Sequence, residues 1–163
     1  MKTPPETKSV FRILVVGLLI GSSSLFAQTW DGGAALGASW ASANNWNPNG
    51  VPALGANISF NNINNGKTTT TVIGNFSLGS ITFQGAPNNA PVYTTNTNSL
   101  LNVGNTSLTL TGAGVINNST NTQTFNTGVN TLGLSSIVFQ NSATAGSNVV
   151  YNNSVGGSTL FLN

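Results

Sequence analysis

The side chains able to do chemistry are few, and most of the charged ones lie at one end of this 163-residue chain. Lys2, Glu6, Lys8 and Arg12 crowd the first twelve residues. Beyond them the only charged side chains are Asp31 and Lys67, and the sequence has no His and no Cys. General acid–base catalysis needs a group that titrates near its working pH, usually His, Glu, Asp or Lys. A serine nucleophile needs a base beside it, and the only amine on offer is Lys67, whose setting Asn65-Gly66-Lys67 reads as a solvated loop. Zinc and other transition metals need clusters of His, Cys or carboxylate. Calcium needs several oxygens including carboxylates, so Asp31, followed by Gly32-Gly33, reads as a turn cap. Gly112-Ala113-Gly114 precedes no helical pattern and carries no basic residue, so it reads as a turn and not as a phosphate cradle. The Asn-x-Ser/Thr triplets at Asn57, Asn75, Asn105, Asn117, Asn118 and Asn152 follow from the Asn, Ser and Thr content and matter only in a glycosylating host. The sequence predicts no catalytic residue, no metal ligand, no cofactor and no enzyme.

Recognition is the chemistry that remains. Exposed aromatic rings can form a platform for sugars, which makes Trp30, Trp40 and Trp46 candidate glycan contacts in a carbohydrate-binding module. The competing reading is that the three indoles pack together. Their confinement to 17 turn-rich residues favours packing.

The elements that must position these residues read as strands. From Ser107 to Phe139, β-branched and apolar residues alternate and are broken by Gly and Asn: Ser107-Leu-Thr-Leu-Thr111, then Val115-Ile116, Thr122 to Phe125, and Ser136-Ile-Val-Phe139. Such runs form short strands with tight turns, and no window carries the i, i+3, i+4 pattern of a helix. Apolar-x-apolar pairs recur at Ile58/Phe60, Ile81/Phe83, Leu108/Leu110, Ile137/Phe139 and Leu160/Leu162, in steps of 23, 27, 29 and 23. A second series, Phe76/Leu78, Leu101/Val103, Phe125/Thr127 and Val149/Tyr151, falls between them. A period near 25 residues lies in the solenoid range. Between the strands lie Asn-, Gly-, Ser- and Thr-rich links at Asn61 to Gly66, Gly85 to Ala90 and Thr94 to Ser99. Thr68 to Thr71 reads as a strand with a hydroxyl-lined face, and stacked Asn side chains can bond the Asn above and below.

One such coil cannot fold alone. Burying an Ile, Leu or Phe gains roughly 1.5–3 kcal/mol, whereas ordering one backbone residue costs roughly 1–2 kcal/mol. Stacking coils about 4.8 Å apart satisfies strand N–H and C=O groups on both sides. The expected fold is all-β: a right-handed parallel β-helix of about four to five coils over residues 57–163, behind an irregular Trp-rich N-terminal cap at 28–56.

The basic start, the apolar run Ile13 to Ile20 and the small-residue exit before Ala27 read as a secretory signal peptide over residues 1–27. This eight-residue run is too short to span a bilayer, which needs about 20 residues. The chain beyond it is nearly neutral, which removes the electrostatic basis for nucleic-acid binding and favours self-association. No membrane span is expected there. Asn-rich, uncharged strands also permit an amyloid-like matrix protein.

Several segments resemble the opening of bacterial exported proteins with autotransporter-associated β-strand repeats. They are Trp30-Asp-Gly-Gly33, Trp40, Asn45-Trp46, Pro48 and Val51-Pro52, then Phe76 to Phe83 and Leu108 to Phe125. The resemblance implies a β-helix passenger at, or released from, the outer-membrane surface of a Gram-negative-type bacterium, with a translocator barrel or a PEP-CTERM-type anchor further on. On this reading the chain is the N-terminal part of a longer protein. The expected role is structural or adhesive, and the expected partners are further copies, downstream passenger coils or surface glycans.

Overall fold

A computed structural model describes residues 27–97, 105–128 and 133–162. The signal-peptide reading and the Leu101/Val103 pair lie outside the described residues. Within them the chain forms eleven strands, one 3-10 turn at Ala43–Asn45 and no α-helix.

Six strands pair side by side in parallel: β1 (Gln28–Trp30), β3 (Asn57–Phe60), β5 (Phe76–Phe83), β7 (Thr106–Asn117), β9 (Ser135–Gln140) and β11 (Gly157–Leu162). The short β2 (Trp46–Asn47) covers the outer edge of β1 antiparallel. A second parallel sheet holds β4 (Thr69–Val72), β6 (Thr94–Thr97), β8 (Gln123–Thr127) and β10 (Val149–Asn153). From β3 to β11 the chain visits the two sheets in strict alternation. Each strand is therefore bonded to the strands two places before and after it in sequence. The fold is all-β with parallel sheets.

The strands form where alternation is cleanest. In β5 and β7 the inward residues Phe76, Leu78, Leu108 and Leu110 are buried, while Ser77, Thr109 and Thr111 face out. Phe83, Leu110 and Phe139 belong to one buried cluster. Ring neighbours run through it from end to end: Trp30 to Phe60, Phe60 to Phe83, Phe83 to Phe125, Phe125 to Tyr151, Tyr151 to Phe139 and Phe139 to Phe161, at centroid distances of 4.9 to 6.1 Å.

Several sequence expectations are corrected. Gly112-Ala113-Gly114 is a bulge inside one twelve-residue strand and not a turn. Leu78 pairs with Leu110 but Ser80 pairs with Gly114, so β7 carries two extra residues opposite β5. Gly114 sits at φ +80°, and a Cβ there would lie 2.1 Å from the Thr144 carbonyl oxygen. The bulge is thus a close approach that Gly permits.

The bulge also splits the expected ladder. Ile81 faces Val115, and Leu108 faces Phe76. Phe76/Leu78 accordingly belongs to the first sheet. In the second sheet Phe125 faces Tyr151, two places along from the proposed Val149 match. Thr94–Thr97, read as a link, is β6. Phe161, not Leu160 or Leu162, continues the spine by stacking on Phe139.

Candidate functional surface

The Trp-rich segment is built into the interior. Trp30 lies on β1, Trp46 faces it from β2 with ring centroids 5.2 Å apart and nearly perpendicular, and Trp40 packs edge-on against Trp46 and Phe76. All three indoles are 0% exposed. The Trp46 Nε1 donates to the Trp40 carbonyl at 2.9 Å, and the Trp30 Nε1 donates to the Lys67 carbonyl at 3.1 Å. No indole face is open to a sugar ring, and the packing reading accounts for all three. The cap is also more regular than expected, since β1 is the first strand of the large sheet.

The two charged residues of this region act on the backbone. The Asp31 Oδ1 accepts the Gly33 N–H at 2.9 Å, closing the turn. Lys67 is a half-buried staple rather than a solvated loop lysine. Its Nζ donates to the Gly32 carbonyl at 2.7 Å and to the Ala34 carbonyl, tying the cap to the loop before β4. Nothing in the sequence spacing signalled this, because the partners are main-chain oxygens more than thirty residues away.

Between the sheets, polar side chains are buried and mostly paired. Thr70 and Thr95 share a hydrogen bond at 3.1 Å, and Gln123 accepts the Tyr93 N–H at 2.8 Å while donating to Ser119. The Tyr93 Oη donates to the Asn61 carbonyl and the Tyr151 Oη to the Ala145 carbonyl. Burial pushes the Tyr93 phenol up to about 12, opposed in part by a side-chain hydrogen bond with Asn64. Burial also raises Tyr151. Both phenols are held neutral as donors, which suits packing and not acid–base work.

Two outer faces remain. On the large sheet, a groove of about 720 Å³ is lined by Ser77, Ser107, Thr109 and Ser136 together with apolar residues that include Leu54 and Leu134. Two Asn side chains tie its lining segments together: the Asn75 Oδ1 accepts the Ser107 N–H, and the Asn105 Oδ1 accepts the Leu134 N–H. The groove offers uncharged hydroxyls and apolar contacts and no titratable group.

On the second sheet, Thr69, Thr94 and Thr124 form one outward column in register. Thr71, Asn96, Asn126 and Asn152 form the next. Asn126 donates to Asn96 and Asn152 donates to Asn126, each at 2.9 Å. The sequence signals were Thr69-x-Thr71, Thr94-x-Asn96 and Thr124-x-Asn126. Thr69-x-Thr71 is legible as a hydroxyl-rich strand and Asn stacking as a general tendency, but Thr94-x-Asn96 reads as a link, so the sequence does not declare one surface.

Among the described residues no three His, Cys, Asp or Glu side chains come together, and no helix is long and apolar enough to cross a membrane. No family model, no curated protein and no solved structure matches this chain.

Proposed function

We propose that this chain is a non-catalytic, secreted or cell-surface β-solenoid of structural or adhesive role, a right-handed parallel β-helix similar to an autotransporter passenger. The observation that carries this reading is the strict alternation of consecutive strands between two parallel sheets around one buried spine. Parallel strands joined by crossovers are right-handed in about 98% of cases, and the four strand pairs from β3–β4 to β9–β10 are the windings of this reading. The basic and apolar leader supports export. The scarcity of titratable groups beyond it supports a role in binding or scaffolding. Leu160, Phe161 and Leu162 of β11 are exposed, and on this reading further copies or downstream coils would pack against them.

The test is expression of the full chain in a Gram-negative host, followed by cell fractionation and N-terminal sequencing. Export with a mature start at Gln28 is expected. A chain retained in the cytoplasm with its leader intact would overturn the proposal.

A further inference from the structure

We propose that the outer face of the second sheet binds ice. The surface is a lattice in two directions. Along the stack, Thr69, Thr94 and Thr124 follow one another on adjacent parallel strands, a spacing of about 4.8 Å. Along each strand the next outward residue, Thr71, Asn96 or Asn126, stands two positions on, about 6.6 Å away. Ice carries its surface oxygens on a two-dimensional grid of comparable though not identical spacing, so hydroxyls and amides held on this lattice can approach several ice positions together.

Three observations favour ice over a flexible ligand. Thr69, Thr94 and Thr124 stand on the solvent side of their strands, beside buried neighbours, and their hydroxyls make no protein hydrogen bond among the described residues. The Asn96–Asn126–Asn152 ladder fixes the amides, so little side-chain freedom is lost on contact. The face carries no charge, since Lys67 is turned into the cap by its bonds to the Gly32 and Ala34 carbonyls. Its inward partners Thr70, Thr95 and Phe125 are fully packed, which anchors the strands from the inner side. An aromatic platform for sugar is missing from these columns, and Val150 is the only large apolar residue in them. This inference rests on the register of the second sheet and not on export, so either can fail without the other.

The experiment grows a slow ice front through a dilute solution of the purified protein and measures, by tryptophan fluorescence, how much enters the ice. Enrichment in ice is expected for the parent, with loss to the level of a bystander protein in Thr94→Lys. Thr124→Tyr is a second disruption that keeps a strand-favouring residue. Thr82→Lys, on the outer face of the other sheet, is expected to partition like the parent. Thermal melting checks that each variant is folded. Exclusion of the folded parent from ice would overturn the proposal, as would folded Thr94→Lys or Thr124→Tyr entering ice as well as the parent.

Discussion

Replacing Phe83 by Ala tests whether the ring spine is one shared core. Phe83 is 0% exposed and contacts Phe60, Tyr93 and Phe125 at centroid distances of 5.1, 6.0 and 6.1 Å. A buried Phe→Ala change costs about 3–5 kcal/mol through lost transfer energy and the cavity left behind. That is a large share of the roughly 5–15 kcal/mol that holds a domain folded. Phe161 provides the contrast. It is 59% exposed, and among the described residues its one ring contact is with Phe139. With about two-fifths of its surface covered, and full burial of a Phe gaining about 1.5–3 kcal/mol, Phe161→Ala should cost about 1 kcal/mol. Urea unfolding, followed by far-UV circular dichroism and by the fluorescence of the three buried tryptophans, gives both values. The reasoning fails if Phe83→Ala costs under about 1 kcal/mol, or if the two changes cost the same.

Gly114→Ala should destabilise by several kcal/mol, because its Cβ would collide with the Thr144 backbone. Gly74→Ala has open space and a comparable positive φ, so it should show only the strain of about 1–2 kcal/mol; equal melting shifts for the two would refute the bulge argument. Lys67→Met removes charged hydrogen bonds to two carbonyls, each contributing about 1.5–3 kcal/mol, so the cap should loosen, seen as faster amide exchange at Trp30 to Ala34; unchanged exchange would count against the staple. Alkali should destabilise the protein. The folded pKa of Tyr93 is raised, so its contribution is complete below the ordinary phenol value near 10 and is lost as pH climbs to about 12. The rise from the ordinary value to about 12 corresponds to at most about 3 kcal/mol, and a melting temperature that holds level from pH 10 to 12 would contradict it.

The strand class and the core face were legible because alternation is local. Phe76 to Phe83 and Leu108 to Leu110 declare their inward side in the residues themselves. Asn stacking was also readable, since like residues on stacked parallel strands must meet. Register was not readable across the bulge. Two extra residues at Gly112-Ala113-Gly114 shift every later partner, and an even-spaced repeat cannot register an insertion that the strand absorbs. The second sheet was half hidden for another reason. Its inward positions Thr70, Thr95, Thr97 and Thr127 are buried threonines, and an apolar search passes over them. The Trp cluster was read as packing from its crowding alone, whereas the Lys67 staple depends on main-chain oxygens that no side-chain pattern reveals.

The most direct measurement is the set of backbone nuclear Overhauser contacts around Phe125 at the centre of the second sheet. The account predicts cross-strand contacts to Thr95 on one side and Tyr151 on the other, thirty and twenty-six residues away. Contacts from Phe125 to its neighbours in an antiparallel hairpin, with none to Thr95 or Tyr151, would contradict it.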